Sequence, residues 1–404
     1  MTNENQFLSA SDLHDDASRI LEQLLGYCRS RAWAGYDPYD ALNSPLASLP
    51  LLDTRIGRLA LTQILKRSPI NVRPLFLVPK TQNAKALALF LSAVLKRTDA
   101  ASTFEAKGLV DRLAAARSPG TAYWCWGYSF PWQTRTILVP RQSPNLVCTV
   151  FAATALLDAY ERFGERRLLQ MAVSASEYLV EELFWSDGSS SGFSYPLPSY
   201  RSNIHNAHFL GAALLCRVSR LTGDARFVAP ALAVARWSAA QQRADGSWPY
   251  GSEPAHQWID NFHTGYNLCA LHSMSRDLAT REFDVHLRRG LRFYIDRFFT
   301  ADGAPGYFHD RTYPIDIHCV AQSIITLVTL QQLAPEALRT AHHVARWAIR
   351  HMWDRSGFFY YRVLRSTVIK TPYMRWSQAW MVLALATLLA DQVAASALNA
   401  RTAS

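Results

Sequence analysis

The chain has 404 residues, 49% of them hydrophobic and only 18% charged. That balance excludes a disordered polypeptide and supplies enough apolar surface for a sizeable core. The net charge is +10, and only six of the 42 basic residues are lysine. An arginine excess suits an anionic partner, because guanidinium meets carboxylate or phosphate through two parallel bonds, though codon usage gives the same bias. No Lys/Arg run exceeds two residues and no nucleic-acid motif occurs, so nucleic acid is not an expected partner.

Met1 to Asp16 is polar and acidic, without the apolar core of a secretory signal, which leads to the expectation of a cytoplasmic protein. Helices are predicted at about 12–31 and 54–67. Between them, Gly35-Tyr-Asp-Pro-Tyr-Asp40 is turn-forming. The six cysteines, at 28, 125, 148, 216, 269 and 319, form no CxxC pair and read as small buried hydrophobes. No metal and no cofactor is expected. The longest apolar stretch, Ala379 to Ala390, is too short to span a bilayer.

From residue 83 onward the chain repeats. Asn83, Asn145, Asn203, Asp260, Asp316 and Arg375 each open an apolar helix, at intervals of 56 to 62 residues. Asn and Asp suit a helix N-cap. More amphipathic helices follow at about 103–116, 165–184, 224–241, 280–299 and 336–353. A glycine with aromatic neighbours then closes each unit, as in Gly127-Tyr-Ser-Phe-Pro-Trp132, Gly192-Phe-Ser-Tyr195, Gly246-Ser-Trp248 and Gly306-Tyr-Phe-His309. Helices apolar all round must be inner ones, and amphipathic helices cover them. The last inner helix, at about 376–393, lacks a following partner, and an N-terminal helix can supply one. The expected fold is therefore an all-α (α/α)6 toroid of six helical hairpins in a single domain, 1–404. Residues 1–82 would provide N-terminal helices and ring closure, 83–393 the repeated hairpins, and 394–404 a tail.

In such a ring the N-termini of the inner helices and the aromatic turns share one end, forming a cup. Six of the 12 histidines fall in the segments that would line it. Candidate catalytic groups are His205, His263, His318, Tyr266, Asp260 and Asp316. Candidate substrate-binding groups are Trp126, Trp132, Arg135, Asn206, His208, Trp248, Trp258, Asn261, Tyr313, Arg375 and Trp376, together with Asp37 from a loop expected to fold over the cup. Rings beside Arg, Asn, Asp and His suit a sugar: rings stack on pyranose faces and the polar groups bind hydroxyls or a carboxylate.

Gln242-Arg-Ala-Asp245-Gly-Ser-Trp248 resembles the Q-x-x-D-G-x-W element of (α/α)6 carbohydrate enzymes and of squalene/hopene-type cyclases. Neither DxDD nor DDxxD, the cyclase motifs, is present. Trp33-Ala-Gly-Tyr-Asp37-Pro-Tyr-Asp-Ala-Leu-Asn43-Ser44, Phe130-Pro-Trp-Gln-Thr-Arg135 and Trp258-Ile-Asp-Asn-Phe-His-Thr-Gly-Tyr-Asn267 resemble bacterial exopolysaccharide and capsule biosynthesis proteins of the VpsJ-like kind. The resemblance implies action on a glycan or its precursor.

The expected function is a lyase or epimerase acting on an acidic exopolysaccharide or its precursor. His or Tyr would abstract the proton alpha to a carboxylate that Arg or Asn neutralises. The alternatives are a glycoside hydrolase using Asp260 with Asp316, or Asp245 with Asp310, and a non-catalytic glycan-binding component of a synthesis complex. The sequence does not speak to oligomeric state.

Overall fold

A computed structural model describes residues 10–402. The first nine residues of the polar N-terminal segment and the last two of the expected tail lie outside the described residues. Chain order gives α1 (Ala10–Arg29), α2 (Arg55–Arg67), α3 (Ala84–Val94), α4 (Ala100–Ala115), α5 (Leu146–Phe163), α6 (Arg166–Tyr178) and α7 (His205–Thr222). It continues through α8 (Val228–Ala240), α9 (Asn261–Asp277), α10 (Asp284–Phe298), α11 (Ile317–Thr329), α12 (Ala337–Met352) and α13 (Trp380–Thr402).

Six inner helices, α3, α5, α7, α9, α11 and α13, pack each on the next, and α13 packs back on α3. The ring is closed. Helices α4, α6, α8, α10 and α12 each cover the inner helix before them, and α1 covers α13. The N-terminal helix thus completes the sixth hairpin, giving the expected (α/α)6 toroid. Helix α13 runs on through much of the segment expected to be a tail. Among the described residues no helix is long and apolar enough to cross a membrane. Five cysteines are buried and Cys269 is half-buried, all of them free thiols.

The repeat anchors show why each inner helix starts where it does. Asn83, Asn145, Asp260 and Asp316 are N-caps whose side chains accept a backbone N–H from the first turn of α3, α5, α9 and α11. Asn203 is not a cap: α7 starts one residue later, from Ile204, with no side-chain cap. Arg375 lies inside a π-turn, Met374–Ala379, that leads into α13. Gly164 and Gly223, both left-handed, end α5 and α7.

The aromatic turns carry short strands. β1 (Trp132–Gln133) pairs with β2 (Leu138–Val139), and β3 (Phe184–Ser186) with β4 (Ser191–Phe193). β5 (Ile315–Asp316), β8 (Arg362–Val363) and β9 (Val368–Ile369) form one sheet in the order β5-β8-β9. β6 (Trp353–Asp354) pairs with β7 (Phe358–Phe359).

Between α1 and α3, residues 30–82 leave the ring and cross its inner-helix N-terminal end as a strap. The strap has its own small core of Ala41, Leu42, Ala47, Leu61, Leu65 and Val78. Arg73, fully buried, ties it together by donating to Asp40 (2.7 Å), to the carbonyls of Asp37 and Leu65, and to the Tyr373 hydroxyl on the ring.

Candidate active site

A buried ion pair also pins the strap to the ring. Arg375 donates from Nε to Asp37 Oδ2 (2.6 Å) and from Nη2 to Oδ1 (2.8 Å), and both side chains are about 95% buried. Its guanidinium also lies 5.0 Å from the Tyr128 ring and 5.3 Å from Trp376. The strap therefore folds over the cup as expected. Arg375 is consumed by Asp37, however, and is not free to meet a ligand.

Below this pin the cup floor is packed. Tyr266 Oη lies 2.6 Å from His318 Nε2, and Trp380 stacks on both rings. Trp376 meets His318 edge-on at 4.5 Å and donates its indole N–H to Asp316 Oδ1 (2.8 Å). Burial, reinforced by Lys85, Arg375 and His263 nearby, holds the His318 imidazole well below its ordinary pKa and so neutral. Burial likewise keeps the Tyr266 phenol protonated. Among the described residues, Trp380 Nε1 and His318 Nδ1 have no hydrogen-bond partner.

The floor also holds a group that the sequence reading passed over. Lys85, 3% exposed, places its ammonium 4.1 Å from the Phe151 ring, 5.2 Å from Trp380 and 5.3 Å from Tyr266. Among the described residues no carboxylate pairs with it. Desolvation, with Arg375 adding repulsion, pushes its pKa well below the ordinary lysine value. The signal was available: Lys85 stands two residues past its N-cap Asn83, as His318 stands two past Asp316.

Chemistry with a ligand belongs to the side chains that reach the open surface above this floor. His263 is one of them, with 20% of its side chain exposed. Its Nδ1 pairs with Asp260 Oδ2 at 2.7 Å, and its ring lies 4.6 Å from Tyr250. Tyr250 stacks on Trp258 (4.6 Å, 13°), and Trp258 donates to the same Asp260 oxygen (3.1 Å). Arg362 binds Asp316 Oδ2 through Nε (2.9 Å) and lies over the Tyr307 and Tyr361 rings. Tyr39, Tyr128, Tyr195 and Tyr307 add half-buried rings. Tyr39 and Tyr128 stand in segments singled out in the sequence, Gly35–Asp40 and Gly127–Trp132, but are not among the residues expected in the cup.

Several expected site residues lie elsewhere. His205 and His208 point outward between α7 and α8: both Nδ1 atoms meet Ser238 Oγ (3.3 and 2.9 Å), and His205 stacks on Trp237. Asn261 likewise faces α10, where Tyr294 donates to its Oδ1. Trp126 and Trp248 are hairpin plugs, fully buried, donating to the Leu113 and Ser238 carbonyls near the ends of α4 and α8. Large rings there fill the gap between neighbouring hairpins, and each indole N–H satisfies a carbonyl of the last helical turn. Tyr313 is 42% exposed. Arg135 is exposed on the β1–β2 hairpin, within electrostatic reach of His256. Trp132, on the same hairpin, meets Tyr128 edge-on. Asn206 is buried, with its Oδ1 unpartnered.

Each of the four candidate carboxylates is already engaged. Asp260 caps α9 and takes the His263 and Trp258 protons. Asp316 caps α11 and takes Trp376 and Arg362. Asp245 is held below its ordinary pKa; burial opposes this, but the two bonds from Ser247 outweigh it. Asp310 is held low by Arg311.

A void of about 10 Å³ between strap and ring is too small for a sugar. A cleft of about 420 Å³ opens at the opposite end of the ring, lined by Asp158, Glu161, Arg217, Arg220, Arg276 and Asp277. Its three arginines pair with its three acids, so it offers no unmatched charge to a ligand.

No family model matches the chain, and no curated protein does. Solved structures do. Cellobiose 2-epimerase from Bacillus thermoamylovorans aligns with 76% of this chain and 89% of its own, at a TM-score of 0.58 and 11% identity. A GH76 α-mannanase from Bacteroides thetaiotaomicron aligns over 78% and 86%, at 0.58 and 11%. An unsaturated glucuronyl hydrolase from Streptococcus agalactiae aligns over 96% of each chain, at 0.60 and 11%. At such identities the likeness is one of fold. These neighbours lend no support to the VpsJ-like resemblance.

Proposed function

We propose that this chain is a carbohydrate-active enzyme of the proton-transfer kind, an epimerase or lyase, with His263 as its acid–base group. The Asp260–His263 pair beside the Tyr250–Trp258 stack carries this reading. Asp260 accepts the Nδ1 proton and so leaves the Nε2 lone pair as the basic site. Tyr250 and Trp258 offer ring faces to a pyranose at the same place. Nε2 would take the proton alpha to a sugar carbonyl or carboxylate. Tyr266, bonded to neutral His318 in the packed floor, backs the site from below, its ring 6.0 Å from that of His263. Arg362 is held by Asp316 through Nε and Nη2 as Arg375 is by Asp37. It keeps 16% of its side chain exposed against 5%, and so replaces Arg375 as the cation that would face the developing negative charge. Strap and ring would act as one domain, because Asp37 and Tyr39 on the strap complete the cup.

The engagement of Asp260 and Asp316 weighs against hydrolysis, which needs a free acid of raised pKa. Asp40, which burial raises to about 6, is shut inside the strap by Arg73. The fold neighbours, an epimerase and glycoside hydrolases by name, support a carbohydrate substrate. The resemblance to capsule and exopolysaccharide proteins supports choosing it among bacterial surface glycans, acidic ones included.

The test is incubation with such glycans in D₂O. Deuterium entering the sugar reports epimerisation, and absorbance at the unsaturated-uronate band reports elimination. New reducing ends without either signal would refute proton transfer in favour of hydrolysis. Binding with no turnover would refute catalysis.

A further inference from the structure

Among the described residues, seven of the eleven exposed large hydrophobic side chains fall within residues 49–77: Leu49, Leu51, Ile56, Ile64, Ile70, Leu75 and Leu77. All lie on the strap. On α2, Ile56 stands opposite the buried Leu65, and Ile64, about 80° round the helix from Ile56, is exposed as well. Leu51 sits beside Ile56, because the 51–52 backbone presses on Gly57 so closely that a Cβ there would stand 2.5 Å from the Leu51 carbonyl. At the other end of α2, Ser68 bonds the carbonyls of both Ile64 and Ile70. Leu75 and Leu77 project from the tight turn that Val78 N–H closes on the Arg73 carbonyl.

Charge on this face has one sign. Arg55, Arg67 and Lys80 are exposed and form no ion pair among the described residues. The single acid of the segment, Asp53, is taken by Arg58 (2.8 Å). Protruding aliphatic side chains interleaved with unpaired bases match an anionic lipid surface: the aliphatics enter the acyl boundary while the bases meet headgroup phosphates. A second copy docking by a twofold would bring this wholly basic patch against the same patch, which disfavours a dimer.

We propose that the strap face, residues 49–80, docks the protein onto an anionic lipid bilayer. The strap crosses the cup end of the toroid, so docking brings that end to the membrane surface. If the proposed carbohydrate function holds, the substrate class so presented is a membrane-carried saccharide.

The test uses the full chain and two vesicle compositions, phosphatidylcholine alone and an equal mixture with phosphatidylglycerol, in a flotation assay. The protein is expected to float with the anionic vesicles and at least tenfold less with the neutral ones. Each basic residue should contribute about fivefold. Arg55→Glu/Arg67→Glu/Lys80→Glu should abolish anionic selectivity, and Leu51→Asp/Leu75→Asp/Leu77→Asp should abolish flotation. All six positions are exposed, so unchanged melting temperatures would show that the variants fold. Absence of flotation with anionic vesicles overturns the proposal, and so does flotation that neither variant weakens. A wild-type dimer that the leucine variant converts to monomer, without vesicle binding, overturns it in favour of a second copy. Flotation does not depend on turnover, so its failure leaves the proton-transfer reading standing, and loss of turnover leaves docking standing.

Discussion

The Asp37–Arg375 pair permits a quantitative test of how strap and ring are joined. Asp37→Asn removes the negative charge and one of two acceptors while leaving the guanidinium buried. Breaking a buried pair on one side costs about 3–5 kcal/mol; the retained amide oxygen and the Tyr128 and Trp376 rings put this variant near the lower figure. Unfolding entropy is about 2.1 cal/mol/K per residue. Over 404 residues this gives about 0.85 kcal/mol/K, so a loss of about 3 kcal/mol lowers Tm by about 4 °C. The strap should also become more sensitive to protease, because Asp37 and the Tyr36 carbonyl, which accepts from Met374 N–H (2.9 Å), hold it down. Asp37→Leu combined with Arg375→Met should recover most of the loss, because two apolar groups leave no charge unpaired. Calorimetry and limited proteolysis read both effects. A Tm within about 1 °C of wild type with unchanged proteolysis, or a double variant worse than the sum of its singles, would refute the reasoning.

Three further expectations concern histidines and the buried lysine. His263→Gln should lower deuterium wash-in or elimination by about 10²–10⁴-fold with Tm unchanged, because a positioned acid–base group contributes on that scale; retention of full activity would remove His263 from the mechanism. Lys85→Met should raise Tm, stabilising by about 1 kcal/mol or more, since it removes an unpaired buried amine and keeps the length of the side chain; a lower Tm would mean that its ring contacts outweigh its desolvation. Burial depresses His205 to a pKa of about 4; burial and then the neighbouring His205 depress His208 to about 3. Both stay neutral in the folded state while the unfolded chain takes up protons below about 6.5. Their contribution is therefore complete above that pH and is lost as pH falls from about 6.5 toward 4 and then 3, by up to about 2.7 kcal/mol per pH unit for the pair. Urea midpoints measured between about pH 7 and 4.5 should show that slope, and His205→Gln should roughly halve it; a flat profile would contradict the burial argument.

The ring was legible because its cause is local. Caps at Asn83, Asn145, Asp260 and Asp316 recur at nearly equal spacing, and a helix apolar on every side has to be an inner one. Ring closure by α1 followed from counting: the last inner helix lacked a cover and the N-terminus had a helix to spare. The small β-hairpins of the aromatic turns went unseen because strands of two or three residues are set by the packing of Trp126 or Phe193 against neighbouring helices, not by any pattern of their own. The site was only partly legible for a related reason. An inner helix is buried all round, so its sequence has no polar stripe to reveal which residues face the axis and which face the outer helix.

The missing information is helix phase, and the N-cap supplies it. One residue past the cap, His205 and Asn261 face the outer helices α8 and α10. Four past the cap, His208 and Thr149 face outward as well, since three further residues return nearly to the same side. Two past the cap stand Lys85, Phe262 and His318, all turned into the cup, with Asn206 at the same position of α7. Three past the cap is His263, at the open surface. The histidines of α7 were assigned to the cup because Asn203 was taken as the anchor. Counted from the true cap, Ile204, they fall at one and four and belong between the helices. The same count turns Lys85 from one of six lysines into a floor residue of the cup. A one-residue error in a cap rotates everything after it by about 100°, which is the whole difference between a ligand-facing imidazole and a core one.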